Sequence, residues 1–263
     1  MDPQRVVAYL DRIGLAAPPP PDPDGLRLLV TAHLRTVPFE NLSIHLAEPV
    51  RLDEDALHDK LVTRRRGRFC YELGGAFAAL LRALGLEVTL LGARVHGAGG
   101  LGPPFDHLAL RVDLPEGAWL VDVGFGRFLA GPVPFAAATA FADPEGTVTW
   151  DETARGDLDV LLDGRPQYRL ETRPRALEDF GPTCWWQCTS PDSHFTKGPV
   201  CSLPTADGGR VSLAGSALVT TAADGTRTEE TLDPQQVLEA YRTCFGIVLD
   251  RLPADPSQST AST

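Results

Sequence analysis

The hydrophobic periodicity of the chain changes at about residue 86, and this change restricts the fold more than any other feature. In residues 71–84 the apolar side chains recur every three or four positions, which is the spacing of one helical face. Three later stretches, 88–95, 107–112 and 119–123, are rich in valine and leucine, and turns with glycine and proline separate them. Helices that come first and strands that come later predict an α+β protein rather than an alternating α/β fold.

Charge and cysteine content narrow the possible classes of protein. The formal net charge of the 263-residue chain is −11, so its surface repels a phosphate backbone and nucleic acid is not an expected partner. No apolar run approaches the about 20 residues that a membrane-spanning helix needs, and a membrane partner is not expected either. The N-terminus lacks the basic start and apolar block of a signal peptide. The five cysteines are an odd number, which favours reduced thiols in the cytoplasm over a disulfide framework.

Cys70 is the strongest candidate for a reactive side chain. It lies at the start of the helix predicted over residues 71–84, where free backbone amides and the helix dipole favour an anion. Four arginines precede it, at positions 64, 65, 66 and 68, and positive charge also favours the thiolate, which is the nucleophilic form. Glu40 is expected to pair with one of these arginines and so to hold the loop that carries the cysteine.

A cysteine nucleophile needs a base, and the base needs a carboxylate that orients it. His107 at the start of one predicted strand and Asp122 within the next are the best candidates. A carboxylate within an apolar strand is costly to bury without a partner, and a histidine on the neighbouring strand would supply one. The residues alone leave two plainer interpretations open: a cysteine that only packs, and an aspartate that only accepts hydrogen bonds from the backbone.

Five separated motifs add a resemblance to these arguments. They are Val-Pro-Phe-Glu-Asn-Leu (37–42), Arg-Arg-Arg-Gly-Arg-Phe-Cys-Tyr-Glu-Leu (64–73), Phe-Asp-His-Leu (105–108), Leu-Val-Asp-Val-Gly-Phe-Gly (120–126) and Thr-Ser-Pro-Asp-Ser-His-Phe (189–195). Their order and approximate spacing resemble the arylamine N-acetyltransferase family over nearly the whole chain. The resemblance implies a papain-like α+β fold. In that fold an N-terminal helical bundle (1–85) carries the nucleophile, a central β-barrel (86–190) carries the histidine and the aspartate, and an α/β lid with the C-terminal tail (191–263) completes the chain.

The resemblance also implies a chemistry. Cys70 would take an acetyl group from acetyl-CoA, with His107 as its base and Asp122 as the orienting carboxylate, and no metal is implied. The acetyl group would pass to the nitrogen of a small arylamine or hydrazine in a ping-pong reaction. The turn Gly124-Phe125-Gly126 would lie beside the CoA pyrophosphate, because glycine lets backbone amides approach a phosphate. Four side chains that would equally suit a plain core would line the acceptor site: Phe39, Val95, Phe125 and Phe195.

Three positions depart from the usual pattern of that family. Arg68 stands where a second glycine is common, Gly74 where asparagine is common, and Arg127 where glycine or a small residue is common. The two arginines are expected either to bind phosphates of CoA or of a carrier protein, or to point to solvent. A second interpretation therefore stays open, an amide synthase that takes a polyketide chain from an acyl carrier protein and releases it as a macrolactam. A third is a thiol hydrolase with the same three residues and water as the acceptor.

Overall fold

The computed structural model describes residues 1–136 and 138–256, and in them the helices come first and most strands come later. The predicted α+β class is therefore confirmed. The α-helices are α1 (Pro3–Arg12), α2 (Pro23–Thr36), α3 (Leu42–His45), α4 (Glu54–His58), α5 (Cys70–Ala83), α6 (Gly181–Thr189) and α7 (Pro234–Phe245). The strands are β1 (Phe39–Glu40), β2 (Glu87–Gly97), β3 (Gly100–Leu101), β4 (His107–Leu114), β5 (Gly117–Val121), β6 (Val133–Pro134), β7 (Phe141–Asp143), β8 (Gly146–Glu152), β9 (Leu158–Leu162), β10 (Arg165–Arg175), β11 (Val200–Pro204), β12 (Arg210–Ala214), β13 (Ala217–Thr221) and β14 (Arg227–Thr231).

Aspartate caps begin several of the N-terminal helices. The side chains of Asp2, Asp22 and Asp53 each accept a hydrogen bond from the backbone amide three residues later, which satisfies one of the free amides of the first turn. α2 begins at Pro23, at the first helical position, where the missing amide of proline costs nothing. α5 forms the centre of this layer, and its apolar residues are almost completely buried.

A large antiparallel sheet follows the helices and curls back on itself. Its strand order is β6-β5-β4-β2-β10-β9-β8-β7, with β3 paired to β2, and the edge strands β6 and β7 approach each other. Side chains alternate between its two faces, as the pleat of a strand requires. In β4, Leu108 and Leu110 pack with the helices, whereas Ala109 points into the interior of the curled sheet. The start of β4 therefore lies where α5 meets this barrel.

A second antiparallel sheet forms the C-terminal part of the fold, with the order β1-β11-β12-β13-β14. α7 packs on it, and Asp233 caps that helix in a capping box with Pro234 at its first position. The predicted division of the chain into three units, after residues 85 and 190, stays a prediction. Two features cross it: β1 pairs with β11, and Phe180 packs in the helical core. The last seven residues of the predicted lid and tail lie outside the described residues.

Candidate active site

Cys70 is the first residue of α5, one position before the predicted start of that helix. The residue is 3% exposed, and its sulfur lies 3.9 Å from the carbonyl oxygen of Asp106, the residue that precedes β4. The helix that carries the thiol is thus packed directly against the edge of the barrel. The apolar residues of α5 bury that helix and, with it, the thiol at its N-terminus.

His107 and Asp122 form a buried pair beside this sulfur. His107 Nε2 lies 2.8 Å from Asp122 Oδ2, and the two residues are 2% and 3% exposed. β4 and β5 are antiparallel neighbours, so the start of one lies near the end of the other. Asp122 follows β5 by one residue and is not within a strand as predicted, because the chain turns there and Asp122 Oδ1 accepts a hydrogen bond from the Gly124 amide at 3.0 Å. The second ring nitrogen of His107, Nδ1, remains for its hydrogen bond with Cys70.

Burial and mutual contacts set the protonation of these side chains. Burial by itself lowers the pKa of His107, but the charge of Asp122 and the hydrogen bonds to Asp122 and Cys70 raise this pKa from 6.5 to about 10. Burial raises the pKa of the Cys70 thiol above its ordinary value, and the hydrogen bond and charge of His107 oppose that rise. The imidazole is therefore cationic at neutral pH, and a cation beside the sulfur favours the thiolate.

The arginines before Cys70 support its loop instead of acting on its thiol. Arg66 is buried, and its Nε donates to Glu40 Oε1 at 3.0 Å, which confirms the predicted pairing of Glu40. The groups that act most strongly on the pKa of Cys70 besides its burial are His107, Asp106 and Asp122, and no arginine is among them. The positive charge nearest to the sulfur thus comes from the imidazole, and the predicted contribution of the basic run stays a prediction.

Arg68 belongs to a buried cluster of charges under the active-site loop. Its guanidinium lies 3.3 Å from Glu72 Oε1 and also donates to the carbonyl oxygens of Ala56 and Leu57. Lys60 Nζ donates to the same carboxylate and lies 2.8 Å from Oε1 and 3.1 Å from Oε2. Arg68 has no exposed surface, so both expectations for it, phosphate binding and solvent exposure, are wrong.

The turn Gly124-Phe125-Gly126 packs closely against the nucleophile candidate. A Cβ at position 124 would lie 2.7 Å from Cys70 Cα, so glycine is required for this approach. The Gly124 amide is engaged by Asp122, whereas within the described part of the chain the amides of Phe125 and Gly126 donate to no protein acceptor. Gly124 thus has a steric role that the sequence did not predict, and the contact with the CoA pyrophosphate that the resemblance implied stays a prediction.

A cavity of about 690 Å³ opens in front of the sulfur, a volume typical of sites for small ligands. Cys70, His107 and Gly124 are part of its wall. The structure also places in this wall the four residues predicted for the acceptor site: Phe39, Val95, Phe125 and Phe195. The structure thus brings all the predicted site residues together at this wall, with two exceptions. Gly126 and Asp122 do not line the cavity.

Sequence reasoning missed a second set of lining residues. Asp106, Asp192 and His194, Trp186 and Gln187 of α6, and residues of the glycine-rich hairpin 97–103 complete the wall. Gln187 Nε2 donates to Asp106 Oδ1 at 2.8 Å and so ties α6 to the loop before β4. The repeated glycines did predict a loop, but α6 is about 80 residues further along the chain, and no periodicity reports a contact over that separation.

Comparisons with known proteins support a specific family. A family model described as N-acetyltransferase matches residues 22–253. The chain is also 36% identical over 256 residues to the arylamine N-acetyltransferase of Mycolicibacterium smegmatis, with 93% of this chain and 92% of that protein covered. The chain belongs to the arylamine N-acetyltransferase family. It is therefore an acyltransferase, as the resemblance predicted.

Solved structures of N-acetyltransferases share the fold. The arylamine N-acetyltransferase of Salmonella typhimurium superposes with a TM-score of 0.86 at 28% sequence identity, covering 100% of this chain and 98% of that one. The Mycobacterium marinum enzyme, solved in complex with CoA, has a TM-score of 0.82 at 34% identity and covers 92% of each chain. The predicted papain-like fold, with a helix-borne cysteine packed on a barrel, is confirmed by this likeness.

The two other departures from the family pattern have structural explanations. A Cβ at Gly74 would lie 2.3 Å from Leu108 Cδ2. In this N-acetyltransferase, Leu108 of β4 therefore fills the space that a larger side chain at position 74 would need. The Arg127 side chain is 67% exposed and lies 3.3 Å from Glu145, which matches the expectation of a solvent-facing arginine. Neither residue lines the cavity, and neither does Arg68.

Three further observations concern the cofactor and the surroundings of the enzyme. Among the described residues, no group of three or more histidine, cysteine, aspartate or glutamate side chains is arranged to hold a metal ion. In the same residues, no helix combines the length and apolarity needed to cross a bilayer. All five cysteines are free thiols.

Proposed function

We propose that this acyltransferase moves an acetyl group from acetyl-CoA to the nitrogen of an arylamine or hydrazine through an acetylated Cys70. The observation that carries the proposal is the His107–Asp122 pair, with 2.8 Å between Nε2 and Oδ2, placed beside a sulfur that faces a cavity. Membership of the family supports the reaction class. The M. marinum relative solved with CoA supports a CoA thioester as the donor.

The first half of the reaction acetylates the enzyme. In the ion pair the proton already lies on His107, and the Cys70 thiolate attacks the carbonyl carbon of the thioester. The resulting tetrahedral intermediate collapses as the bond to the CoA sulfur breaks. The CoA thiolate leaves with the proton from His107, so free CoA and acetyl-Cys70 are the products. Asp122 keeps the imidazole aligned and stabilises its cationic form throughout.

The second half transfers the acetyl group. The amine nitrogen attacks the carbonyl carbon of acetyl-Cys70, and His107 accepts the proton that the nitrogen loses. The carbon–sulfur bond breaks, Cys70 leaves as a thiolate, and the amide product dissociates. Because CoA has left before the amine binds, the two substrates use the same cavity in turn, which is the origin of ping-pong kinetics.

The wall of the cavity supplies binding rather than proton transfer. Phe39, Phe125 and Phe195 offer apolar rings to a flat aromatic amine, and the Val95 side chain extends this surface. The amides of Phe125 and Gly126 suit an anionic group of CoA, since backbone N–H groups in a turn favour anions. Gly124 would contribute mainly by its close packing on Cys70.

Two other reactions are compatible with the same three residues. The amide synthase alternative rested on Arg68, Gly74 and Arg127, none of which lines the cavity, so these positions give it no support. A thiol hydrolase would use water as the acceptor. The apolar rings that surround the sulfur favour an aromatic amine over water, and we therefore retain acetyl transfer to an amine as the function.

The proposal extends to location and partners. Free thiols at all five cysteines suit the reducing cytoplasm, where we place the enzyme. The net charge of −11 opposes binding to nucleic acid. The partner that the cavity requires is a small aromatic amine, and nothing in the site requires an acyl carrier protein or a membrane.

Incubation with acetyl-CoA followed by intact-mass analysis tests the proposed function. We expect one acetyl group per chain, located on Cys70 by peptide mapping. The acetyl-enzyme accumulates because its acetyl group cannot be transferred without an amine acceptor. Addition of aniline or of a hydrazide should discharge the adduct and yield the N-acetyl product. Rapid loss of the adduct to water without amine would support the hydrolase, and no adduct from acetyl-CoA would contradict the proposal.

Substitution Asp122→Asn should remove the charge that keeps His107 cationic. The pKa of His107 is raised to about 10 chiefly by Asp122 against its burial, so without the carboxylate the ring becomes neutral at pH 7 and the thiolate loses its counter-charge. The rate of Cys70 alkylation by iodoacetamide at pH 7 should fall about 10²-fold, within the usual range for a lost acid–base partner. The ratio of the wild-type rate to the variant rate should be largest near pH 7 and should shrink as the pH rises through about 10, where His107 of the wild type also loses its proton.

The same pair gives a second readout in stability. Because the folded pKa of His107 exceeds its ordinary value of 6.5, the pair stabilises the fold fully below about pH 6.5 and loses that contribution as the pH rises through about 10. The stability difference between wild type and Asp122→Asn should therefore shrink above pH 10. Equal alkylation profiles for the two proteins would contradict the role of Asp122.

A further inference from the structure

The cavity in front of Cys70 carries negative charge at its wall. Asp106 and Asp192 both line it, and among the described residues that do so there is no lysine or arginine. Its other ionisable groups are Cys70 and the cationic His107, whose opposite charges offset each other, and the imidazole of His194. An anionic acceptor would need positive charge at its binding site, because charge complementarity is a main source of specificity. The two carboxylates of this wall offer the opposite charge.

Asp106 is held in the wall as a carboxylate. Its Oδ1 accepts a hydrogen bond from Gln187 Nε2 at 2.8 Å, and its Oδ2 accepts one from the Val95 amide at 3.2 Å. Both oxygens are thus acceptors, which is the pattern of the ionised form; burial raises the pKa of this carboxyl, and the hydrogen bonds from the Val95 amide and Gln187 and the charge of His107 oppose that rise. A Cβ at Gly102 would lie 1.9 Å from Asp106 Oδ2, so glycine at this position lets the hairpin close over the carboxylate. The side chain is therefore built into the site from three segments.

The charge of Asp106 reaches the reacting atoms. This residue directly precedes His107, and its carbonyl oxygen lies 3.9 Å from the Cys70 sulfur. Its negative charge opposes formation of the Cys70 thiolate and so raises the pKa of that thiol. The carboxylate is therefore unfavourable for the acetylation step. Its benefit must be sought in the binding of the second substrate, which approaches through the same cavity.

Nearby cations leave this charge in place. Arg94 Nε donates to the carbonyl oxygen of Gly102 at 2.7 Å and does not line the cavity. Arg127 is exposed and pairs with Glu145, away from the wall. An acceptor with a carboxylate would therefore give up its hydration and meet Asp106 with no arginine or lysine at the wall to receive it.

We infer that Asp106 makes the cavity select neutral or cationic acceptors that carry N–H groups beyond the reacting nitrogen, and reject acceptors that carry a carboxylate. This inference rests on the proposed function, since it names the acceptor class of the same site. Hydrazides and aromatic amines with an amide or amino substituent belong to the favoured class. Aminobenzoates belong to the disfavoured one.

Two acceptors of nearly equal shape test the inference. 4-Aminobenzamide and 4-aminobenzoate differ by one charge, and their intrinsic reactivities are compared by their aminolysis of a simple acetyl thioester. After that correction, the wild-type ratio of kcat/KM should favour the benzamide by about 30-fold or more. Asp106→Asn, which keeps the size of the side chain, should reduce the ratio by about tenfold.

Two further variants keep the test decisive. Asp192→Asn removes the other carboxylate of the wall, which is exposed, and should change the ratio by less than about threefold because solvent and salt screen it. Leu101→Lys adds a cation to the wall and leaves both hydrogen bonds of Asp106 in place. It should shift the ratio toward the benzoate, and it serves as the test if Asp106→Asn does not fold.

The outcomes separate this inference from the proposed function. A corrected wild-type ratio that favours the benzoate would overturn the inference, as would a ratio that neither Asp106→Asn nor Leu101→Lys changes. Failure of acetyl-CoA to acetylate Cys70 would contradict the proposed function alone. In that case titration calorimetry of the two acceptors with wild-type protein gives the same comparison as dissociation constants, and equal affinities would overturn the inference.

Discussion

Cys70→Ser should lower acetyl transfer to an arylamine by more than about 10³-fold while the protein stays folded. The hydroxyl of serine has nearly the size of the thiol, so the packing of the first turn of α5 on the barrel is retained. The pKa of a hydroxyl is far higher than that of a thiol, so His107 cannot keep the serine side chain deprotonated at neutral pH. Steady-state formation of the N-acetyl product, together with intact mass after acetyl-CoA, measures both steps.

A matched control exists in the C-terminal part of the chain. Cys244 is a half-buried free thiol of α7 and lies outside the cavity, so Cys244→Ser should retain the rate and the single acetyl adduct. The two variants together separate the loss of one specific thiol from a general effect of cysteine replacement. Retention of more than a tenth of the wild-type turnover by Cys70→Ser would contradict the assignment of the nucleophile.

Glu72→Gln should destabilise the protein by about 3–5 kcal/mol, the usual cost of removing one partner from a buried ion pair. Glu72 is 2% exposed and lies between two cations, 2.8 Å from Lys60 Nζ and 3.3 Å from Arg68 Nη1. The amide of glutamine would leave both positive charges buried without a counter-charge. For a chain of this size the loss corresponds to a fall in Tm of about 10 °C, which thermal unfolding followed by circular dichroism measures.

An exposed ion pair provides the comparison for this prediction. Glu239 and Arg242 are three residues apart on α7, and both side chains are more than half exposed. Because solvent screens such a pair, Glu239→Gln should leave the Tm almost unchanged. An equal fall in Tm in the two variants would show that the burial of Glu72 does not determine its contribution to stability. The account of the charge cluster would then be wrong.

The elements that the sequence predicted best are those that local rules define. The apolar spacing in residues 71–84 marks α5, and the valine- and leucine-rich stretches mark β2, β4 and β5. Cys70 and His107 each lie at an element boundary, which a local pattern can locate. Asp122 was placed within a strand because its neighbours are apolar, yet the strand ends one residue before it, where the carboxylate accepts the amide of the following turn.

Arg68 shows where local reasoning failed. A run of arginines ordinarily indicates a solvated surface or a phosphate site, and both were expected of it. The structure instead surrounds Arg68 with carbonyl oxygens of α4 and with the carboxylate of Glu72, one turn along α5. An arginine is stable in an interior only where such partners converge, and their convergence depends on how separate helices pack.

Patterns within the chain were enough to predict the fold class, the order of helices and strands, and the side chains that can act as nucleophile, base and orienting acid. These depend on hydrophobic periodicity, on capping and on motifs, all of which are local in the chain. Three features became known only once the chain was folded: the wall of the cavity, the hydrogen bond from Gln187 to Asp106, and the burial of Arg68. Each of these joins residues from separate elements, so each depends on packing and on the pairing of buried charge, which no single segment encodes.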